Sequence, residues 1–176
     1  KEKPGLGHKA EQKEFVDAIQ ETEKDIEHIM SIKGDLVVDE VHRELGKVVW
    51  DKVGMARNKE GLENAINSIP KIKEKFWKNV SIPGSDKDMN QELEKALRLK
   101  DFIELAELMA YDALDRNESC GGHFREEYQT KENEAERNDT DFKYVAAWGY
   151  NKNGKPELFK EDLKYNNVKL KTRSYK

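Results

Sequence analysis

The stretch from Leu93 to Asp115 constrains the fold more than any other part of this sequence. It opens with Leu93, Ala96 and Leu97, three and four residues apart, as on the buried side of an amphipathic helix. From Leu99 onward, apolar residues cover most of the helical circumference: Leu99, Phe102, Ile103, Leu105, Ala106, Leu108, Met109, Ala110, Ala113 and Leu114. Such a helix must be covered on more than one side, so we predict that it is the central helix of a bundle.

The segment that follows, residues 116–125, holds an unusual set of polar residues around two glycines. We single out seven of them as a candidate interface or structural motif: Arg116, Glu118, Ser119, Gly121, Gly122, His123 and Arg125. The glycines permit backbone angles that other residues resist. One interpretation is internal, with Glu118 capping backbone amides and the basic side chains making intramolecular bonds. The other is that this turn docks on a neighbouring domain or subunit.

Three further helices are indicated by apolar residues at helical spacing, at about 9–32, 39–53 and 58–79. Asn58 is placed to cap the third of these. Pro70 is expected to kink this helix rather than end it, because the apolar pattern continues in phase beyond the proline. Gly46 within the second helix indicates close packing there, because glycine inside a helix costs about 1 kcal/mol relative to alanine. Residues 80–89 are expected to form a loop.

The chain changes character after Arg125. Residues 131–141 are charged and predict an exposed connector, while 142–150 and 157–160 predict strands of a hairpin turning at 151–154. We therefore predict a mainly α protein, an antiparallel bundle of three to four helices with a small C-terminal β-hairpin and extended tail. Its predicted parts are a linker (1–8), a helical bundle domain (9–128), and the connector with the β tail (129–176).

Composition narrows the functional classes. Of the 176 residues, 39% are charged, yet the net charge is only −4, which favours solvated helix faces over a nucleic-acid-binding module. The single cysteine excludes an internal disulfide and fits a reducing compartment. No stretch approaches the ~20 apolar residues of a membrane span, so we predict no direct membrane insertion.

Two short patterns match the letters of functional motifs, one for dinucleotide binding and one for metal binding or nucleophilic catalysis. Residues 5–10 match G-x-G-x-x-A, but no strand precedes them, and a dinucleotide site needs one. Cys120 and His123 are spaced as two metal ligands or as a nucleophile and its base, but structural zinc needs four ligands and the other histidines form no second cluster. We predict no catalytic, cofactor-binding or metal-binding residue in this chain.

The turn resembles a known family. Arg116, Glu118, Ser119, Gly121, His123 and Arg125 match the Arg-x-Glu-Ser-Arg-Gly-Ala-His-x-Arg-x-Asp segment of succinate dehydrogenase and fumarate reductase flavoprotein subunits. Cys120, Gly122 and Glu127 replace the Arg, Ala and Asp usual in that segment. Residues 53–57 and 173–175 resemble a Val-Gly-Ile-x-Arg joint and an Arg-Ser-Tyr ending, so the resemblance begins near Val41.

The resemblance implies a non-catalytic C-terminal helical domain that packs on an FAD domain. In the family, FAD and the catalytic residues belong to N-terminal FAD and capping domains in cis. The implied parent is an oxidoreductase of the tricarboxylic acid cycle and electron transport, which interconverts succinate and fumarate. Its implied partners are an iron–sulfur subunit and, indirectly, a membrane cytochrome subunit that exchanges electrons with quinone. These place it in the cytoplasm, peripheral on the inner face of the membrane.

Two alternatives stay open at this point. A free-standing helical adaptor could use the turn and tail to hold a protein partner. The C-terminal domain of an L-aspartate oxidase would carry a similar turn and have no iron–sulfur partner. Because the chain starts at Lys1, we expect a fragment of a longer protein, inactive alone.

Overall fold

The computed structural model describes residues 11–151 and 155–171. Over these residues the chain is mainly helical, with two small pairs of strands. The elements in chain order are α1 (Lys13–Ser31), α2 (Val38–Val48), a π-helical turn (Val49–Val53), β1 (Ala56–Arg57), α3 (Lys59–Asn79), α4 (Gln91–Asp115), β2 (Phe124–Arg125), β3 (Tyr144–Gly149) and β4 (Glu157–Asp162).

The predicted fold class is confirmed: helices dominate, and a small antiparallel hairpin follows them. As predicted, α3 continues through Pro70 rather than ending there. The predicted linker 1–8, the G-x-G-x-x-A match at 5–10 and the Arg-Ser-Tyr match at 173–175 lie outside the described residues, as do positions 152–154 of the predicted turn. Within the described residues, no helix is both long enough and apolar enough to cross a membrane.

The chain divides into two compact units. The described part of the first unit comprises residues 11–42 and 74–101. Its core is formed by apolar side chains of α1, α2, the end of α3 and the start of α4: Ile29, Val38, Val41, Phe76, Val80, Leu93, Ala96 and Leu99. Trp77 stacks on His28 with ring centroids 5.2 Å apart, which covers one side of this core.

The connection between α1 and α2 lies very close to the end of α3. Leu36 forms a parallel bridge with Val80, and Lys33 an antiparallel bridge with Ser81. A Cβ atom on Gly34 would lie 1.8 Å from the carbonyl oxygen of Asn79, so this approach requires glycine.

α4 starts two residues earlier than the apolar pattern alone suggests, because Asn90 caps it. The side-chain oxygen of Asn90 accepts hydrogen bonds from the backbone N–H groups of Glu92 and Leu93, both at 3.1 Å. Its amide nitrogen donates to the carbonyl oxygens of Pro83 and Ser85. One side chain therefore fixes both the helix start and the preceding loop.

The second unit comprises residues 43–73 and 102–171 as far as they are described. Its buried apolar residues come from α2, the π-helical turn, α3, α4 and β3: Leu45, Val53, Leu62, Ala65, Ile69, Ile72, Ile103, Ala106, Ala110, Ala113 and Tyr144. β1 and β2 pair in parallel, with Ala56 opposite Phe124 and Arg57 opposite Arg125. β3 and β4 form the predicted hairpin, from Tyr144 opposite Asp162 to Gly149 opposite Glu157.

The hairpin is held against the last turns of α4 by two hydrogen bonds. Trp148 donates its indole N–H to Asp112 at 2.7 Å, and the Tyr144 hydroxyl donates to Asp115 at 3.4 Å. Both side chains lie on the same face of β3, as alternation along a strand requires. The opposite face carries Val145, which is exposed.

The prediction that α4 is covered on more than one side is wrong for this chain. Its buried positions form a single stripe at spacings of three and four: Leu93, Ala96, Leu99, Ile103, Ala106, Ala110 and Ala113. Phe102, Leu105 and Met109 lie outside this stripe, and Leu105 is 53% exposed. From Ala106 to Ala113 the buried positions are alanines, and the larger Leu105 and Met109 lie on the outer side.

The prediction of close packing at Gly46 is also wrong. A Cβ atom built at this position would meet no atom within 4 Å. The glycine therefore weakens α2 without allowing any closer contact.

Candidate functional site

The seven residues singled out from the sequence lie together in the turn between α4 and β2. Arg125 is the centre of the turn and is 1% exposed. Its guanidinium Nη1 donates to the carbonyl oxygens of Ala113 at 2.9 Å and Leu114 at 3.3 Å. These carbonyls belong to the last turn of α4, where no helical N–H group remains to bond them. A buried cation at this end of a helix is also favoured by the helix dipole.

Two further contacts orient the Arg125 side chain. Its Nε donates to the carboxylate of Glu127 at 3.1 Å, and its guanidinium lies 5.5 Å from the centroid of the Tyr128 ring. Burial raises the pKa of Glu127. The hydrogen bond from the Lys59 amide, together with the hydrogen bond and the charge of Arg125, has the larger opposite effect, so the pKa of Glu127 lies below its ordinary value. Glu127 is therefore a carboxylate that accepts hydrogen bonds from two elements.

Ser119 fixes the spacing between the start and the end of the turn. Its hydroxyl is fully buried; it accepts a hydrogen bond from the N–H of Arg125 at 2.8 Å and donates to the Arg125 carbonyl at 3.1 Å. The hydroxyl thus acts both as a donor and as an acceptor. A larger or apolar residue here would remove the hydrogen-bond acceptor of the buried Arg125 N–H, whereas the Arg125 carbonyl would still accept from the N–H of Tyr128 at 2.9 Å.

Two backbone hydrogen bonds join Cys120 and His123. The N–H of Cys120 donates to the His123 carbonyl at 2.8 Å, and the N–H of His123 donates to the Cys120 carbonyl at 3.0 Å. This closes a tight two-residue turn made of Gly121 and Gly122. Gly121 has φ = 61°, in the left-handed region that glycine adopts without strain.

Glu118 connects the turn to the connector that follows it. Its side chain is 2% exposed; one oxygen accepts from Arg116 Nη1 at 2.6 Å and the other from the backbone N–H of Asn138 at 2.8 Å. Arg116 in turn donates to the carbonyl oxygens of Phe142 and Tyr144. The charged connector predicted as exposed is therefore anchored at its end by this pair.

His123 is half-buried and donates from Nε2 to the carbonyl oxygen of Arg116 at 2.9 Å. Burial lowers its pKa, against the raising effect of this hydrogen bond, and the charges of Arg57, Arg125 and Arg116 lower it further. The neutral imidazole is therefore the form that the turn stabilises.

The sequence did not reveal that this turn pairs with the joint before α3. Besides the β1–β2 pairing, the backbone N–H of Glu126 donates to the Arg57 carbonyl at 2.9 Å, and that of Lys59 donates to Glu127. Asn58 donates to Glu126 at 2.6 Å and caps α3 by accepting from the N–H of Gly61 at 2.8 Å. The two flagged sequence segments, 53–57 and 116–125, thus form one hydrogen-bonded unit.

The arrangement offers little for covalent chemistry. Burial raises the pKa of the Cys120 thiol, and the nearby Glu118 carboxylate raises it further, so the thiolate is disfavoured. Among residues 11–151 and 155–171, no group of three or more His, Cys, Asp and Glu side chains is placed to hold a metal ion. Every polar side chain described above in the turn makes bonds within the chain.

The starts of α3 and α4 also do not fit the pyrophosphate of a dinucleotide such as FAD. A dinucleotide pyrophosphate needs free amides at a helix start that follows a glycine-rich turn. β1 leads into α3 through Asn58 instead, and the Asn58 and Glu127 side chains occupy the amides of Gly61 and Lys59. The start of α4 is occupied in the same way by Asn90.

The fold is a helical domain whose last long helix ends in a buried, internally bonded turn. A family described as the fumarate reductase flavoprotein C-terminal domain matches residues 42–175. The chain belongs to this family. The match begins one residue after the start that the sequence resemblance predicted, so that prediction is confirmed.

Individual relatives agree with the family. The chain is 38% identical over 118 residues to an uncharacterized FAD-dependent oxidoreductase of Methanocaldococcus jannaschii, covering 66% of this chain and 21% of the relative. It is 30% identical over 146 residues to a fumarate reductase flavoprotein subunit of Proteus vulgaris, covering 82% and 23%. The chain thus spans less than a quarter of the length of these relatives.

Solved structures share the fold. A quinol fumarate reductase chain from E. coli superposes with a TM-score of 0.78 at 21% identity, over 93% of this chain and 27% of that one. A chain of a Mycobacterium smegmatis Sdh1 complex superposes with a TM-score of 0.71 at 20% identity, over 85% and 24%.

Proposed function

We propose that this chain is the non-catalytic C-terminal domain of an FAD-dependent flavoprotein subunit that interconverts fumarate and succinate. The observation that carries the proposal is the family match over residues 42–175, which includes the whole buried turn. The name of the Proteus vulgaris relative, a fumarate reductase flavoprotein subunit, is a further argument for this reaction. The match also favours a flavoprotein over a free-standing adaptor.

In this proposal the flavin and the reacting groups belong to the rest of the polypeptide, an FAD domain and a capping domain in cis. The internal use of Arg116, Glu118, Ser119 and Arg125 supports this, because groups already bonded within the chain are not available to a substrate. The role of this domain is to pack on the FAD domain and to support assembly.

We further propose that residues 116–125 form a structural motif with two parts. The buried part, Glu118, Ser119 and Arg125, stabilises the end of α4 and its contact with β1. The exposed tip, Cys120 to Gly122, is the part that a neighbouring domain or subunit can reach. We retain the bundle (9–128) and the tail (129–176) as a proposed division of this domain.

The partners proposed for the intact subunit are an iron–sulfur subunit and, through it, a membrane cytochrome subunit that exchanges electrons with quinone. A matched solved structure is a quinol–fumarate reductase with menaquinol molecules, which supports this assignment. The proposed location is cytoplasmic, peripheral on the inner face of the membrane through the partner subunits. An L-aspartate oxidase would instead purify without an iron–sulfur subunit.

The test compares the chain with the intact subunit. The purified chain, mixed with FAD and then desalted, is expected to keep no flavin absorbance and to reduce no fumarate with a reduced viologen dye as electron donor. The intact subunit is expected to carry flavin and to reduce fumarate. Flavin retained by the chain alone would contradict the proposal, as would an intact subunit that oxidises L-aspartate but leaves fumarate unchanged.

A further inference from the structure

An exposed tryptophan lies in the π-helical turn that ends α2. Trp50 is 84% exposed, and Met55 just beyond the turn is 75% exposed. The backbone under Trp50 is fixed by Gly54, where a Cβ atom would lie 2.6 Å from the Trp50 carbonyl oxygen. Tryptophan is enriched among the residues that dominate protein–protein affinity, and π-helical turns are frequent at functional sites. The turn therefore presents a large apolar side chain on a defined backbone.

The helix surface beside Trp50 is left open by Gly46. The two positions are four residues apart, so they adjoin on one side of the helix. A Cβ atom on Gly46 would meet no atom within 4 Å, so no contact among the described residues requires glycine there. The glycine nevertheless costs helix stability. A second backbone that approaches α2 closely from outside would require it.

The charged side chains nearest to Gly46 and Trp50 on this side of α2 are basic. Arg43 lies three residues before Gly46, and Lys47 three before Trp50. Both are exposed, and neither forms an ion pair within residues 11–151 and 155–171. Residues 43–57 carry four basic and two acidic side chains, on a chain whose net charge is −4. An acidic surface complements this side, whereas a symmetric contact with a second copy would bring the same basic residues together.

We infer that this side of α2 binds an acidic surface of a separate protein subunit, an inference that rests on the proposed function, in which the flavoprotein works within a complex. We call it the α2 outer face and define it by Arg43, Gly46, Lys47, Trp50 and Met55. Trp50 enters an apolar pocket of the partner, whose backbone passes over Gly46 and whose carboxylates pair with the two basic residues. Unpaired charges accelerate the encounter of molecules that meet by diffusion, which favours a separate subunit over a domain already joined through the chain.

Thiol labelling tests where the face is covered. In a Cys120→Ser background, Met55→Cys is the reporter, and Met89→Cys is the control, because Met89 is 97% exposed in the loop before α4. Each variant is labelled in the intact flavoprotein alone and in its complex with the proposed iron–sulfur subunit. We expect complex formation to slow maleimide labelling at position 55 at least about tenfold and to leave position 89 within about twofold.

Substitutions test the chemistry of the face. Trp50→Ala and Lys47→Glu should each raise the Kd of the complex at least about tenfold at unchanged flavin content. The effect of Lys47→Glu should shrink at high salt, because salt screens exposed charges. Lys71→Glu makes the same charge change at an exposed position of α3 and should leave the Kd within about twofold.

The outcomes separate the inference from the proposed function. Equal labelling at position 55 with and without the second subunit would overturn the inference, as would equal effects of Lys47→Glu and Lys71→Glu, or a flavoprotein that reduces fumarate but binds no second subunit. Protection already present in the flavoprotein alone would assign the face to the same polypeptide, or to a second copy if dilution removes it, and either would overturn the inference. An intact subunit without flavin or fumarate reduction would overturn the proposed function, and the inference with it.

Discussion

Arg125 shows how a single side chain organises this domain. Its guanidinium bonds the last carbonyls of α4, its backbone bonds Ser119, and its strand pairs with β1. A lysine has one point charge and no planar fork, so it cannot bond the α4 carbonyls and Glu127 together.

The first prediction concerns Arg125→Lys in the chain. We expect the free energy of unfolding to fall by about 2 kcal/mol, since buried carbonyls lose a charged donor. Urea unfolding followed by circular dichroism measures this. Arg43→Lys, on the exposed side of α2, is the control, and an equal effect of the two changes would contradict the assigned role.

The second prediction concerns His123 and pH. The pKa of His123 in the folded state lies below the ordinary 6.5 of a histidine. Above about pH 6.5 the imidazole is neutral in both the folded and the unfolded protein, so its titration costs no stability there. As the pH falls below this value, the unfolded state takes up the proton more readily, and stability is lost. Urea midpoints between about pH 7 and about pH 5 should fall less steeply for His123→Gln than for the parent chain. The control is His42→Gln. If the urea midpoint of His123→Gln falls with pH as steeply as that of the parent chain and of this control, His123 does not contribute to the pH dependence of stability.

At the scale of the elements, α4 shows which part of a sequence pattern is informative. Spacing alone identified the helix, and the structure adds its Asn90 cap. Spacing could not identify the buried side, because leucines and alanines occur all around the helix. The side that packs inside this chain is the one with the smaller residues, Ala106, Ala110 and Ala113.

A pair of substitutions in α4 tests this assignment. Ile103 is 1% exposed, so Ile103→Ala should cost about 2–5 kcal/mol in the free energy of unfolding of the chain. Leu105 is about half exposed, so Leu105→Ala should cost below about 1 kcal/mol. Chemical unfolding of both variants gives the two values, and similar losses would mean that Leu105 is enclosed after all.

Gly46 gives a prediction of opposite sign. Gly46→Ala should stabilise α2, and the chain, by about 1 kcal/mol, because alanine is the better helix former and its Cβ meets no atom. Gly34→Ala is the contrasting variant, since its Cβ would overlap the Asn79 carbonyl. Thermal unfolding should show a higher midpoint for the first and a lower one for the second; a lower midpoint for Gly46→Ala would contradict the open environment.

At the scale of the whole molecule, the sequence predicted the helices, the hairpin and the family. It did not predict the contact between residues 56–57 and 124–125, because pairing of two short, distant segments leaves no periodic signal. The sequence singled out seven residues of the turn but could not decide between internal bonding and docking. Glu118, Ser119 and Arg125 are buried in this structure, a property that depends on three-dimensional packing, and their burial supports the proposed internal role.

The central claim is that the motif at 116–125 stabilises a flavoprotein without taking part in its chemistry. The most direct test is fumarate turnover per bound flavin in the intact subunit carrying Arg125→Lys. The account predicts a value within about twofold of the unaltered subunit. A loss of about a hundredfold or more at unchanged flavin content, the size expected when a proton-transferring group is removed, would contradict it.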